Sequence, residues 1–257
     1  MIFKEYYFNE SINDKNLFKV VFLAGGPGSG KSFISDLAFK GEPVSFVNQD
    51  AFTEMIFKRD DIPFVFDTKN QEIYARQAKA RERAKELTSK RLLVQVDGML
   101  SLVIDGTGRH YPKIDAMFKA FKNIGYDPYM VFVNTTLDVA KERNKKRKRK
   151  VEDKFLVDAW HSVQDNIGKF QSLFGAENFV IIDNSKVLDD KEIKDLELKL
   201  TRQSRKFLNE PLKNPIGKII LKKLHQKGGK NISDISKTLE KNPGRFSVWT
   251  LKNTIMK

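Results

Sequence analysis

The feature that constrains this chain most is the segment GGPGSGKS at Gly25–Ser32, which matches the pattern G-x-x-x-x-G-K-[ST] in full. An apolar run, FKVVFLA, precedes it, and the segment FISDLAFK follows it with the composition of a helix. Glycines let the backbone fold around a phosphate so that successive N–H groups point inward, and the following helix adds the positive end of its dipole. The segment therefore predicts a nucleotide-phosphate site between a buried strand and a helix.

Each residue of this phosphate loop has an expected role. We expect Lys31 to reach the β- and γ-phosphates of ATP and the Ser32 hydroxyl to ligate Mg²⁺. ATP and Mg²⁺ are thus the predicted cofactors. The remaining nucleotide-binding positions, which act through their backbone, are Gly25, Gly26, Pro27, Gly28, Ser29 and Gly30.

Short apolar runs alternate with helical segments along the chain. This alternation predicts an α/β fold with three layers and a five-stranded parallel sheet. The predicted strands are residues 18–24, 44–47, 100–104, 128–133 and 179–182. Residues 70–91 predict a long helix with a thin apolar side, and residues 152–174 predict one amphipathic helix that ends at Gly175.

The net charge of +14 is concentrated in two segments. Residues 141–150, the basic cluster, hold eight Lys/Arg and one acid (+7). Residues 211–257, the basic tail, hold eleven and two (+9), so the other 200 residues sum to 14 − 7 − 9 = −2. Localised basic patches indicate a polyanionic partner such as nucleic acid, although a solubilising surface has the same composition. We expect a kinase-type domain over residues 1–210 and a helical extension over 211–257.

Composition excludes several kinds of site. The chain has no cysteine, which excludes disulfides, Cys-ligated metal centres and thiol nucleophiles, and its three histidines are far apart. The sequence carries no secretory signal pattern and no apolar run of membrane-spanning length. We therefore expect a cytoplasmic protein with no membrane partner.

The third predicted strand ends at Asp105, which is positioned to hold Mg²⁺ through water. Motor ATPases and AAA-type proteins place a water-activating glutamate directly after this aspartate, but here Gly106 follows. Base-recognition motifs of GTPases are also absent. The pattern favours phosphoryl transfer to an acceptor hydroxyl, which needs positioning, charge neutralisation and a base.

Asp50, at the end of the second strand in Asn48-Gln49-Asp50, is the candidate base. Ligands of such sheets bind at the carboxyl ends of the strands, beside the phosphate loop. The alternative is that Asp50 caps the following helix.

The basic cluster between two predicted helices has the layout of a kinase lid over residues 143–155. Arginine is well suited to neutralise a transferring phosphate, because its guanidinium group can donate two parallel hydrogen bonds to the phosphate oxygens. The candidates are Arg143, Arg147 and Arg149, with a solvated charge run as the alternative.

Over about residues 18–184, the phosphate loop, the N-x-D at the second strand end and the lid resemble the polynucleotide 5′-kinase and zeta-toxin group of P-loop kinases. The segments LVIDGTGRHYPKI, GYDPYMVFVNTTLDVAKERN and VQDNIGKFQSLFG resemble, more narrowly, zeta-toxin-like phage proteins. The resemblance implies a P-loop NTPase fold, a proton-accepting Asp50, an ATP-binding Lys31 and Ser32 pair, and a phosphate-neutralising arginine near Arg147. Thr107 and Arg109 are the candidate acceptor-binding residues that accompany Asp50.

Two departures from this group leave the acceptor open. Polynucleotide kinases have an arginine shortly after the base, whereas the next basic residues here are Lys58 and Arg59. Zeta toxins have a glutamate in the place of Asp105.

Three functions remain possible on the sequence. The first is an ATP-dependent kinase of a nucleic-acid hydroxyl, either a 5′ end or a modified base. The second is a kinase of a nucleotide, nucleoside or UDP-sugar. The third is a nucleic-acid-binding regulator that uses ATP as a switch, for which the basic tail offers three short predicted helices at 216–226, 232–239 and 247–254. The oligomeric state stays open.

Overall fold

Five parallel strands form one sheet in the structure, a computed structural model that describes residues 16–64, 70–147 and 151–226. The strand order is β2-β3-β1-β4-β5, with β1 at the centre. The prediction of a five-stranded parallel sheet in an α/β P-loop NTPase fold is confirmed. The strands are β1 (Lys19–Ala24), β2 (Ser45–Val47), β3 (Leu102–Asp105), β4 (Asp127–Asn134) and β5 (Phe179–Asp183).

Helices connect the strands and cover both faces of the sheet. None of the helices in the described ranges combines the length and the apolar composition that crossing a bilayer requires. They are α1 (Lys31–Phe39), α2 (Gln49–Arg59), α3 (Gln71–Asp97), α4 (Tyr111–Asn123), α5 (Leu137–Lys146), α6 (Asp153–Gln164), α7 (Ile167–Phe174), α8 (Asp190–Asn209) and α9 (Pro215–Gln226).

Strand β1 is buried on both faces, which explains why its sequence is continuously apolar rather than alternating. Val20 and Phe22 pack into a core with α3, α4, α7 and α9, whereas Val21 and Leu23 pack into a second core with α1 and α8. The central strand therefore holds the two helical layers together, and its carboxyl end leads directly into the phosphate loop.

The prediction of one helix over 152–174 is wrong, because the chain kinks between α6 and α7 at Asp165 and Asn166. Both residues keep right-handed helical dihedral angles, so the apolar spacing continues across the kink and periodicity cannot detect it. The buried Asn166 side chain donates to the backbone oxygens of Gly108 and Arg109, at 3.0 Å each. The kink thus ties this helical pair to the loop after β3. Gly175 follows α7 with a φ of +77°, as expected.

The long helix α3 runs six residues beyond its predicted end at position 91. Its first half packs against α2 through a small separate cluster that includes Ile56, Phe57, Ala80 and Ala84. The second half joins the main core through Leu92 and Val96, which is why the helix continues.

Helix α9 packs on the body of the molecule. Leu212, Ile220 and Leu221 are buried in the core that contains β1, whereas Ile219 is exposed. The predicted helix at 216–226 is present, and those at 232–239 and 247–254 lie outside the described residues. The domain boundary after residue 210 stays a prediction.

A buried ion pair joins the sheet to the segment before α9. Lys19 is 2% exposed, and its Nζ donates to Asp127 Oδ2 at 3.0 Å. The same carboxylate accepts from the backbone N–H groups of Lys213 (2.8 Å) and Asn214 (2.9 Å). Asp127 therefore satisfies the Lys19 charge and fixes the entry to α9.

We expect Asp127→Ala to lower the free energy of unfolding by about 3–5 kcal/mol, because it leaves a buried ammonium without its partner. Urea denaturation of the full chain measures this loss. Asp115→Ala is the matched control, since Asp115 pairs with Lys119, which is 67% exposed, and an exposed pair contributes about 1 kcal/mol or less. Equal losses in the two variants would contradict a structural role for the buried pair.

Candidate active site

The phosphate loop packs tightly between α5 and the end of β5. A Cβ on Gly28, whose φ is +79°, would lie 2.6 Å from the carbonyl oxygen of Ala140. Gly30 has a φ of +83°, and a Cβ there would collide with the amide of Asn184. Only glycine fits both positions without strain or displacement. The motif glycines are thus required by the fold around the loop as well as by the space for a phosphate.

Side chains from two other elements hold the carbonyl oxygens of the loop. Asn184 Nδ2 donates to Ser29 O at 2.8 Å, and Arg143 Nη1 lies 3.4 Å from Gly28 O and 3.5 Å from Ser29 O. Because these oxygens are held from outside, the opposite side of the loop stays available for N–H groups that bind an anion.

Lys31 lies within its own loop, and its Nζ donates to Gly25 O at 2.8 Å. Burial lowers the pKa of Lys31, an effect that the carboxylates of Asp105 and Asp50 oppose and the Arg147 guanidinium increases. The exposed Ser32 follows it in the first turn of α1.

The side chain of Asp105, at the end of β3, is held by a residue that directly follows the neighbouring strand β2. Asn48 Nδ2 donates to Asp105 Oδ2 at 2.7 Å, while Asp105 Oδ1 is buried and has no hydrogen-bond partner. Burial raises the pKa of Asp105; the Lys31 ammonium lowers it in part, and the Asp50 carboxylate adds to the rise. A carboxylate oxygen in this state is suited to receive a cation or its water.

Asp50 does not cap α2. The cap is Asn48, whose Oδ1 accepts from the N–H groups of Asp50 (2.7 Å) and Ala51 (3.3 Å). Asp50 lies exposed in the first turn of the helix, and its charge acts on both Lys31 and Asp105. The alternative that Asp50 serves as the N-cap is therefore excluded by the local geometry.

The site has the groups that Mg²⁺ and ATP would use. Among the described residues, no cluster of three or more His, Asp or Glu side chains is suited to hold a metal by itself. Magnesium at nucleotide sites, however, binds through one or two protein oxygens together with phosphates and water. The unpartnered oxygen of Asp105 and the hydroxyl of Ser32 fit that requirement. The two residues and the loop would thus hold the cation and the nucleotide phosphates.

Two of the three arginines of the predicted lid lie in the described chain. Arg143, on α5, braces the phosphate loop, and the exposed Arg147, just after α5, is near enough to act on Lys31. Arg149 lies outside the described residues. The buried Asn144 joins the end of α5 to the residue that precedes α6 by two positions, since it donates to Val151 O at 2.8 Å and accepts from Val151 N at 3.1 Å.

Thr107 and Arg109 lie in the loop between β3 and α4. Thr107 is exposed, and its carbonyl oxygen accepts from the N–H of Gly25, at the start of the phosphate loop. The Arg109 guanidinium lies over the ring of Phe155, 4.9 Å from its centroid, which joins the loop to the first turn of α6. Both residues border the site, and their acceptor-binding role stays a prediction.

A cavity of about 200 Å³ opens beside Asp105, between the ends of β1 and β3 and the helices α3 and α4. Buried apolar side chains, including Phe22 and Met117, line one part of it. The polar groups that line it include Gln49, Thr88, His110 and Lys113. Among the described lining residues, none belongs to the phosphate loop, although Thr107, which does line the cavity, accepts from the N–H of Gly25.

Several residues that shape the site are not singled out by the sequence motifs. Asn184 had a usable signal, because it directly follows a strand in a fold whose ligands bind at strand ends. Asn48 lies in the N-x-D segment, but its two roles, as the cap of α2 and as the hydrogen-bond partner of Asp105, can be recognised only in the folded structure. Lys113 has no sequence signal, because it is one of many lysines on helix surfaces.

A model of the AAA_33 family, described as an AAA domain, matches residues 20–167, which is more than half of the chain. The chain belongs to this family. No curated protein sequence is significantly similar to it. The membership agrees with the strand–loop–helix arrangement around Gly25–Ser32 and with the P-loop fold. The narrower resemblance to phage proteins stays a prediction.

Several solved structures are similar to this chain at low sequence identity. A structure of the PezAT toxin–antitoxin system of Streptococcus pneumoniae is 19% identical and covers 80% of this chain and 91% of that one, with a TM-score of 0.45. The Pnkp1/Rnl/Hen1 RNA repair complex is 19% identical over 62% of this chain and 48% of that one, with a TM-score of 0.46. Shikimate kinase from Bacteroides thetaiotaomicron is 17% identical over 72% and 97%, with a TM-score of 0.42.

We expect Asp105→Asn to raise the free energy of unfolding by roughly 1 kcal/mol at pH 7 in chelator-containing buffer. The pKa of Asp105 is raised in the folded state, so its ionised form destabilises the fold. The destabilisation grows as the pH rises from the unfolded-state pKa, about 4, through the raised folded value, and it is absent below that range. Thermal unfolding of both proteins at pH 7 and near pH 4 tests this. A variant that is less stable at pH 7 would contradict it.

Proposed function

We propose that the protein is an ATP-dependent phosphotransferase that moves the γ-phosphate of ATP to a hydroxyl of an acceptor. The observation that carries this proposal is the convergence of Lys31, Asp105 and Asp50, whose charges act on one another at the mouth of the phosphate loop. Lys31 supplies a cation for the phosphates, and Asp50 supplies an exposed carboxylate whose charge acts on both Lys31 and Asp105.

The surroundings of Asp105 favour transfer to an acceptor over hydrolysis by water. Gly106 stands where a hydrolytic AAA-type protein has its glutamate, and its N–H donates to Leu23 O at 2.9 Å. Among the described residues that line the adjoining cavity, Asp105 carries the only carboxylate. The space beside the aspartate is therefore suited to a second substrate rather than to a positioned base for water.

In the proposed reaction the acceptor oxygen attacks the γ-phosphorus, the bond to the β,γ-bridging oxygen breaks, and ADP leaves with that electron pair. Asp50 takes the proton of the acceptor hydroxyl. Lys31 and the loop N–H groups hold the β- and γ-phosphates, and Arg147 neutralises the transferring group. Mg²⁺, when bound at Ser32 and Asp105, supplies further neutralisation of the phosphate charge.

For the acceptor we propose a hydroxyl of nucleic acid, a 5′ end or a modified base. The concentration of positive charge in the basic cluster and the basic tail supports it. A second candidate is a small acceptor such as a nucleotide or a UDP-sugar, which the cavity of about 200 Å³ favours because it holds a single sugar-sized unit.

We expect Asp50→Asn to lower kcat by roughly 100-fold and to change ATP affinity little, because the variant keeps the shape of the side chain and removes the base. Transfer of labelled γ-phosphate to 5′-OH DNA, 5′-OH RNA, hydroxymethylated DNA, nucleosides and UDP-sugars measures the loss and identifies the acceptor class. We expect Lys31→Ala to abolish transfer, and this variant is the reference for complete loss of activity.

Asn48→Ala is the control that separates chemistry from helix capping. It removes the cap of α2 and the hydrogen-bond partner of Asp105. We expect it to lower the free energy of unfolding by about 1 kcal/mol, which gives the stability loss expected from the loss of a helix cap. If Asp50→Asn loses thermal stability and keeps kcat, Asp50 is not the base.

We expect removal of residues 227–257 to raise KM for a long 5′-OH oligonucleotide and to leave KM for ATP unchanged. This segment holds seven Lys/Arg and two acids, a net charge of +5. Truncation at 211 would be uninformative, because Leu212, Ile220 and Leu221 belong to the core. Binding of the full chain should also weaken more steeply with salt than binding of the truncated chain. An unchanged KM and salt dependence would favour the small acceptor.

A further inference from the structure

An exposed aromatic ring lies at the edge of the candidate active site. Phe155, in the first turn of α6, is 44% exposed, whereas Leu156, which follows it in the chain, is completely buried. Leu156 and the other buried residues of this helix supply its packing on the body of the protein, so the core does not require the Phe155 ring. A ring in this position is open to contact with a ligand of the site.

The Arg109 guanidinium is the partner of this ring. It lies 4.9 Å from the ring centroid of Phe155, within the range of a cation–π contact. The residues that the structure describes give this guanidinium no hydrogen bond and no ion pair. A guanidinium stacks on a ring through its flat face and keeps its N–H groups at the edge. Arg109 and Phe155, which we call the stacking pair, thus place two planar groups together at the protein surface.

The backbone near each member of the stacking pair is fixed. The carbonyl oxygen of Arg109 accepts from the buried Asn166 side chain at 3.0 Å. Phe155 follows Val151 by four residues, and Val151 makes two hydrogen bonds with Asn144. A surface that is held in place before a ligand arrives loses little conformational entropy on binding. The pair is therefore preorganised to bind a flat group.

The stacking pair connects the rim of the cavity beside Asp105 to the predicted lid. Gly108 and His110, the two neighbours of Arg109 in the chain, both line that cavity. Phe155 is the last residue of the predicted lid and follows the end of the basic cluster by five positions. An acceptor whose hydroxyl lies in the cavity therefore reaches the pair when it extends toward the lid.

The chemistry of the pair selects for a flat group with a π-face. Nucleobases stack on aromatic rings and on guanidinium planes, whereas a sugar ring has no π-face. We infer that a nucleobase of the acceptor stacks on Phe155, which Arg109 holds in place, and that this contact makes the protein prefer acceptors that carry a base. The inference rests on the proposed phosphotransferase function and narrows its substrate class. Because every base has a π-face, we expect the pair to accept all four bases.

The test compares acceptors that differ only in the base. Deoxyadenosine 3′-monophosphate and 1,2-dideoxyribose 3-phosphate share the 5′-hydroxyl and the phosphate. For Phe155→Leu, we expect the ratio of kcat/KM for the base-bearing acceptor to kcat/KM for the abasic one to fall about tenfold, as the loss of one base–aromatic contact predicts. The fall should come from KM of the base-bearing acceptor rather than from kcat, because the ring binds away from the reacting hydroxyl.

Phe155→Tyr is the matched variant, because it keeps the π-face, and we expect it to keep the wild-type ratio. Equal falls in Phe155→Leu and Phe155→Tyr would overturn the inference, since they would reflect the shape of the side chain rather than stacking. Equal use of the two acceptors by the wild-type protein would also overturn it. Similar use of the adenine, cytosine, guanine and thymine 3′-monophosphates supports the inference.

Arg109→Lys tests the second member of the pair. This variant keeps the positive charge and loses the plane, so we expect the same ratio to fall, but by less than in Phe155→Leu. An unchanged ratio would overturn the role given to Arg109. Equal losses of kcat/KM on both acceptors would overturn it too, because they would indicate a contact with the phosphate instead of the ring.

Failure of the proposed function has a different signature. If the wild-type protein transfers phosphate to no acceptor, the phosphotransferase proposal fails. Equilibrium binding of the same two compounds, with a non-hydrolysable ATP analogue present, then still reports on Phe155. Tighter binding of the base-bearing compound that weakens about tenfold in Phe155→Leu supports the stacking pair, and binding that does not depend on the base overturns it.

Discussion

The hydrogen bond from Asn48 to Asp105 is the contact on which the rest of the site depends. It joins the ends of β2 and β3, and the other side-chain atom of Asn48 caps the helix that begins one residue later. One amide thus fixes the orientation of Asp105 and the position of Asp50 together. Because Asp105 Oδ1 is left without a partner, the fold retains a buried carboxylate oxygen that a purely structural arrangement would have satisfied.

Much of the architecture is predictable from the sequence because β1 is both central and next to the phosphate loop. Its unbroken apolar run requires burial on two faces, and that requirement implies helices on both sides of a parallel sheet. The kink at Asn166 was not predictable, since residues on either side of it keep the same apolar spacing. At this point the Asn166 side chain makes two hydrogen bonds to a loop almost sixty residues earlier in the chain, a contact that only the folded structure shows.

In the candidate site, too, some residues are predictable from the sequence and others are not. Lys31, Ser32, Asp50 and Asp105 follow from local patterns, because their positions relative to a strand end are fixed by a few residues of sequence. The amides that hold them, Asn48 and Asn184, act through contacts between segments that are 57 and 155 residues apart. No local pattern encodes such a distance.

Helix α6 is anchored to other segments at both of its ends. Asn144 holds Val151 just ahead of α6, while Asn166 anchors the other end of that helix to the loop after β3. Helix α6 has 12 residues and is therefore about 18 Å long. Trp160 Nε1, within this helix, also donates to Thr135 O at 2.8 Å. Helix α6 is therefore fixed at its middle as well as at its ends, and it holds the segment after α5, the end of β4 and the loop after β3 in one rigid arrangement around the phosphate loop.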